Sequence, residues 1–101
     1  MHKLMALYRM PPDPDHFRNY YETVHIPLVR KMPGIVRMNY SFDVHDFGGG
    51  SPFFCIFECY FENVQDMIAS AQTPEGQVVT ADVPNCRPGE VEIVHFPVVD
   101  A

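Results

Sequence analysis

The sequence predicts an α+β sandwich: one four-stranded antiparallel sheet with its helices on a single face. Three observations lead there. Four segments carry apolar residues with the period of a strand, two stretches carry them at helical spacing, and their order is β-α-β-β-α-β. The 101 residues suit a single domain, 1–101. A chain of this size buries about two-thirds of its open-chain surface, enough for one core.

Residues 2–10 read as the first strand. Leu4, Ala6, Tyr8 and Met10 share one face, and Met5 and Leu7 lie on the other. Apolar residues on both faces mark a central strand covered twice. Pro11-Pro12 ends it. Asp13 is a good helix N-cap, Pro14 suits the first helical position, and Asp15 suits the positive end of the helix dipole. Phe17, Tyr20, Tyr21, Val24 and Leu28 then recur at helical spacing. Pro27 lacks a donor and clashes with the carbonyl of Thr23, so a kink is expected around His25–Ile26. A second helical piece runs to Met32, and Pro33-Gly34 stops it.

Residues 35–46 read as a long strand. Val36, Met38, Tyr40, Phe42 and Val44 oppose Arg37, Asn39, Ser41 and Asp43, the mark of one wet side. The Gly-rich run Asp46–Pro52 is a hairpin loop. Phe53–Phe61 is the strongest strand, with Phe53, Cys55, Phe57, Cys59 and Phe61 on one face and Phe54, Ile56, Glu58 and Tyr60 on the other. A helix follows over Asn63–Ala71 with Asn63 as its cap. Thr73-Pro74-Glu75-Gly76 opens another helical piece to about Val83, and Val91–Val99 forms the last strand. This order is the ferredoxin-like split βαβ motif, with the first and third strands in the middle. Both are apolar on two faces, yet the chain's helices cover only one. A second copy packed sheet to sheet is the simplest cover, so a homodimer is expected.

Charge and composition exclude several function classes. The net charge is −6, and no basic cluster exceeds Arg30-Lys31. Nucleic-acid binding needs a basic footprint, and an acidic chain is disfavoured at anionic membranes. No apolar run approaches the ~20 residues of a membrane span. The N-terminal apolar stretch is shorter than a signal sequence requires and ends at Arg9. Three cysteines, an odd number with no secretory signal, imply free thiols in a reducing cytoplasm. Cys55 and Cys59 would stand about 13 Å apart along a strand, too far to bridge. No metal site is expected: C-x₂-C pairs are absent, and His2, His16, His45 and His95 lack ligand spacing, so they read as surface or packing residues. Gly48-Gly49-Gly50 lacks the Lys-Ser/Thr of a phosphate loop.

His25 is the leading candidate for chemistry. It follows Tyr21 by four residues, at the flank of the apolar stripe and at a proline-induced break, which aims it between helix and sheet. An imidazole is suited to proton transfer; the alternative is a histidine that ties the loosened helix end together. Cys59 reads as a small buried hydrophobe, since no nearby cation would activate it. Glu58, in a central strand, needs a partner, most simply at a dimer interface. Tyr8, Tyr40, Phe57 and Phe61 line up either as plain core or as a stacking surface for an aromatic ligand. Asp82 and Asn85 read as capping and turn residues.

Two stretches carry a family resemblance. Phe17-x₃-Tyr21-x₃-His25-x-Pro27-Leu28 with Pro33-Gly34, and Thr73-Pro74-Glu75-Gly76-Gln77-Val78-Val79-Thr80-Ala81-Asp82-Val83-Pro84-Asn85, resemble the EthD family across nearly the whole chain. The resemblance implies a dimeric α+β barrel. The family takes its name from a component associated with cytochrome-dependent degradation of an ether fuel additive. Wider relatives of this architecture include cofactor-free monooxygenases, polyketide cyclases and a methylmuconolactone isomerase, which use a pocket between sheet and helices. Similarity to the isomerase adds Glu58-Cys59-Tyr60-Phe61 on the third strand. The aromatic position that the family carries after Pro-Gly is Met38 here, with Tyr40 on the same face. By that resemblance His25 is the acid/base, and Tyr21, Tyr40, Met38, Tyr8, Phe57, Cys59 and Phe61 bind substrate. No cofactor is implied. Two functions stay open: a cofactor-free enzyme of proton transfer, isomerisation or oxygenation on a small apolar or aromatic metabolite, or a non-catalytic module serving a partner oxidoreductase in a degradation pathway. A haem-handling role is disfavoured, because a lone His is the sole hint of axial ligation.

Overall fold

The computed structural model describes residues 1–101. Its sheet has the strand order β2-β3-β1-β4, with every neighbouring pair antiparallel. The central strands β1 (His2–Arg9) and β3 (Phe53–Phe61) are flanked by β2 (Arg37–Phe42) and β4 (Val91–Pro97). The helical layer comprises α1 (Pro14–Tyr20), α2 (Ile26–Val29), α3 (Val64–Gln72) and α4 (Pro74–Asp82). This is the ferredoxin-like arrangement expected, with the expected strands in the middle.

Local chemistry sets the boundaries. Asp13 accepts from the His16 amide and Asn63 from the Asp66 amide, so both helices start at the caps read from the sequence. The second strand is shorter than its alternation predicts. It ends at Phe42 because Asp43 adopts a positive φ of 55°, which no strand continues. The third strand departs from plain alternation. Tyr8 pairs with Cys55 and Arg9 with Phe53, leaving Phe54 as an extra residue. The bulge turns Phe54 into the core, 5% exposed, against Phe17 at 5.9 Å. Phe53 lies instead beneath the Arg9 guanidinium at 5.4 Å. The face assignment of these two residues is thus reversed.

Phe17, Tyr21, Tyr8, Phe42 and Phe54 interlock with neighbouring ring centroids 5.1–6.4 Å apart. Each fully buried large side chain contributes about 1.5–3 kcal/mol, so this cluster anchors the first helical stretch to the sheet. At the opposite corner Gly76 lets α4 start against the end of α3. A Cβ there would lie 2.3 Å from the Ser70 carbonyl oxygen, so a larger residue would push the two helices apart.

The molecule is a slab of 36 × 35 × 18 Å, because helices cover one side of the sheet only. On the other side Met5, Leu7, Ile56 and Tyr60 are half-buried, and Val94 and Phe96 are 40% and 39% exposed. Glu58 lies on this side too. Its partner is within the chain: Lys3 Nζ at 2.8 Å, whose hydrogen bond holds the Glu58 carboxyl below its ordinary range.

All three cysteines are free and buried. Burial pushes each thiol up to about 12, so all are neutral and unreactive at pH 8. Ellman's reagent should count three thiols in denaturant and label none promptly in the native protein. One native thiol reacting at the rate of a free peptide thiol would contradict this packing. The raised values also have a sign: the stability they carry is full below 9, the ordinary value, and drains away as pH climbs toward 12. The melting temperature should therefore fall across that interval.

Candidate functional site

The chain between α1 and α2 is one π-helical turn, Tyr21–His25. Pro27 is its cause. It cannot donate to Thr23 and its ring crowds that carbonyl, so the backbone widens just upstream and the Ile26 amide donates to the Tyr21 carbonyl, five residues back. The sequence predicted a kink at this place; the chain instead absorbs the proline by one wide turn. Residues four apart then stay in line. Phe17, Tyr21 and His25 form a stack, with ring centroids 5.1 and 5.2 Å apart, and all three face the sheet. His25 is 3% exposed.

A buried imidazole needs a partner, and it has Asp82: His25 Nδ1 lies 3.0 Å from Oδ2. The Oδ1 atom accepts from the Tyr20 hydroxyl at 2.7 Å and from Asn85 Nδ2 at 3.1 Å. Burial pushes the Asp82 carboxyl up, but donors from Asn85, His25 and Tyr20 outweigh it and hold the group below its ordinary value. An ionised carboxylate only accepts, so Nδ1 carries the proton in this pair. That aims Nδ1–H at Asp82 and leaves Nε2 to another partner. No side chain bonds Nε2, and the ring's remaining edge lines a cavity.

The cavity, about 420 Å³, lies between the sheet and the α2–α4 layer. Its size falls in the range of small-molecule sites, roughly 300–1,000 Å³. Ala6 in the middle of β1 provides depth where a larger side chain would fill the space. Of the residues expected to bind substrate, Tyr8, Tyr21, Phe57, Cys59 and Phe61 line it together with His25. Tyr40 and Met38 do not line it. Both sit on edge strand β2, to one side: Met38 pairs with Cys59, and the Tyr40 hydroxyl turns outward to donate to Glu22 at 2.9 Å. Cys59 is in the wall as a neutral thiol, in keeping with its reading as a small hydrophobe. His2 and His95 meet at 2.9 Å as a packed pair on adjacent strands.

Asp82 is the partner of His25 that sequence reasoning missed. It read as a capping residue, and no spacing links it to His25, fifty-seven positions away. One signal was present. Asp82 ends α4, where the helix dipole disfavours negative charge, so a carboxylate placed there needs a compensating donor. Cys86 completes the surroundings, its thiol 3.7 Å from the Asp82 carbonyl oxygen. The ligating atoms of His25, Asp82 and Cys86 lie within 4.8 Å of one another, a donor set of the type that holds transition metals. Here the carboxylate accepts from His25, Tyr20 and Asn85, and the Cys86 thiol lies against the Asp82 backbone carbonyl.

Comparison with known proteins identifies the family and the fold. The EthD domain matches residues 10–86, a span holding His25 and Asp82. An uncharacterised 11.0 kDa protein from the thcB-thcC intergenic region of Rhodococcus erythropolis is 30% identical over 96 residues, 93% of this chain and 91% of its own. The crystal structure of an EthD family protein from Bacillus halodurans superposes with a TM-score of 0.91 at 28% identity, covering 98% of this chain and 99% of that one. More distant structures share the fold alone. They include a hydroxynitrile lyase from Passiflora edulis (TM-score 0.78, 10% identity, 99% and 94% covered). A cofactor-independent oxygenase from Streptomyces nogalater (0.72, 9%, 99% and 94%) is another. So is a dimeric protein of ferredoxin-like fold from Bacteroides fragilis (0.70, 15%, 96% and 95%). With its sequence, its sheet order and its helical layer in agreement, the chain belongs to the EthD family.

Proposed function

We propose that this protein is a cofactor-free enzyme that moves a proton on a small, largely apolar substrate, with His25 as the acid–base. The observation that carries the reading is the Nδ1–Asp82 bond behind an imidazole whose other edge opens on an apolar cavity. Asp82 is a positioning residue. It sets the tautomer, orients the ring and stabilises the imidazolium that forms when Nε2 takes a proton. Tyr20 and Asn85 hold the carboxylate in turn. Proton removal from a phenol or an activated C–H leaves an electron-rich anion, the species from which both isomerisation and cofactor-free oxygenation begin. A lyase and a cofactor-independent oxygenase on this fold lend that chemistry support.

The working unit in this proposal is a homodimer in a reducing cytoplasm. Three free thiols support the compartment. The bare sheet face supports the dimer, as does the dimeric Bacteroides fragilis protein of the same fold. No helix is long and apolar enough to cross a membrane.

Three outcomes follow. Lactones and alkyl aryl ketones incubated with the protein in deuterium oxide should exchange the C–H positions beside their carbonyls, followed by proton NMR. His25→Ala should cut that exchange about 100-fold with the circular dichroism spectrum unchanged. Equal exchange in the mutant, or none with any compound for the wild type, overturns the assignment. Second, Asp82 carries stability that is full above 3.8, its ordinary value, and is lost as pH falls through its lower folded value. Asp82→Asn should cost about 1–3 kcal/mol at neutral pH, as the loss of charged hydrogen bonds does, and flatten the acid limb of the melting curve. An unchanged acid limb argues against an ionised Asp82. Third, sedimentation should give a dimer burying on the order of 800 Å² per subunit, and Leu7→Asp on the bare face should yield monomers. A wild-type monomer at all concentrations excludes this face as the interface.

A further inference from the structure

The cavity has a deeply buried end that holds an imidazole and two phenols, and an exposed end where Gln72 and Thr80 stand among apolar residues. His25, Tyr8 and Tyr21 are almost fully buried and form its floor: Tyr21 stacks on His25 at 5.2 Å and meets Tyr8 edge-on at 5.4 Å. Ile68 on α3 and Ile93 on β4 also line the cavity, yet they are 48% and 56% exposed, so they stand at the mouth. Between floor and mouth the wall is Phe57, Met67 and Val79. No Lys, Arg, Asp or Glu lines the cavity anywhere.

We infer that the site takes an uncharged molecule with one polar head and an apolar tail, bound head first, with the head a hydroxyl or carbonyl. This deepens the acid–base reading of the same cavity and rests on it. Two costs select the class. A carboxylate or phosphate head would lose its hydration at the floor with no cation to replace it. A wholly apolar ligand would cover His25 Nε2 and the one O–H that the Tyr8–Tyr21 pair does not spend between its own hydroxyls, bonding neither. A neutral hydroxyl or carbonyl avoids both. It accepts from a tyrosine, and burial pushes both phenols up so that they remain protonated donors. The same placement brings the head's own proton, or the acidic C–H beside a carbonyl, to Nε2. The tail then runs along Phe57 and Met67 toward the two isoleucines.

Calorimetry tests this, since the chain has no tryptophan to report binding by fluorescence. The probes are 4-alkylphenols from ethyl to heptyl and the matching 4-alkylbenzoates at pH 8. Phenols should bind at least tenfold more tightly than benzoates of equal chain length. Affinity should rise about three- to fourfold per methylene, the usual gain on burying a CH₂. Tyr21→Phe should weaken every phenol by about three- to tenfold, one hydrogen bond's worth, without changing the slope per methylene. Tyr8→Phe gives the same readout should Tyr21→Phe fail to fold. Ile93→Asp, at an exposed edge-strand position, should flatten the slope and spare the shortest phenol. Benzoates binding as tightly as phenols, or an affinity blind to chain length, overturns the inference. The two readings fail separately. Phenols that bind with this pattern while no compound exchanges its protons sink the acid–base role and leave the ligand class standing. Exchange confined to carboxylated substrates does the reverse.

Discussion

The buried contact between His25 and Asp82 is the constraint on which the rest of the helical layer depends. A carboxylate removed from water is costly unless its lone pairs are taken up. Here three donors converge on it, from the π turn (His25), from the end of α1 (Tyr20) and from the turn after α4 (Asn85). Two stretches far apart in sequence, 20–25 and 82–85, must therefore be held in one geometry. Each relies on a local device. Pro27 forces the wide turn that swings His25 inward, and Gly76 permits the close α3–α4 corner that delivers Asp82. The pair joins the two βαβ halves of the fold as well. His25 lies between the first and second strands in sequence, and Asp82 between the third and fourth.

The sheet sets the shape of the space in front of this pair. On β1 the residues facing the helices are His2, Leu4, Ala6 and Tyr8, and on β3 Cys55, Phe57, Cys59 and Phe61. The rings of Tyr8 on β1 and Phe57 on β3 stand beside the small Ala6, so the sheet surface dips there. The bulge at Phe54 adds a further ring at the α1 end and closes the core there. Packing is thus tight beneath α1 and open beneath α3 and α4. The open part is where the free imidazole edge emerges.

What the sequence made legible follows from the range of each signal. Strand and helix periodicity and the Asp13 and Asn63 caps act within a few residues and were readable, whereas the second helical piece, expected to run to Met32 and stop at Pro33-Gly34, already ends at Val29. The inward aim of His25 was readable too, because Pro27 and Tyr21 act on it locally. The bulge was not, since Phe53 and Phe54 are alike in hydropathy and the partner strand alone shows which is extra. Asp82 was misread for a related reason: its helix-end position looks like capping until the donor fifty-seven residues away is placed beside it. Tyr40 and Met38 were assigned to the cavity by face, and they do share the inward face. They stand one strand too far toward the edge, a lateral offset that alternation along a strand does not encode.

A hydrogen-bonded dyad gains from standing at the floor of a dry cavity. In a medium of low dielectric the attraction between the Asp82 carboxylate and a positively charged imidazole is far larger than in water, so in the proposed reaction the pair is pre-set for the charge that proton uptake would bring. The same medium penalises any charged competitor for the site. Water, the usual acceptor for a stray proton, has few partners along a wall of Phe57, Met67 and Val79. In the proposed function apolar walls and a polar floor act together: the walls disfavour a charged ligand, and the floor offers His25 as the proton acceptor. A chain of 101 residues assembles this from local backbone devices and one long-range contact, without a charged side chain in the cavity wall.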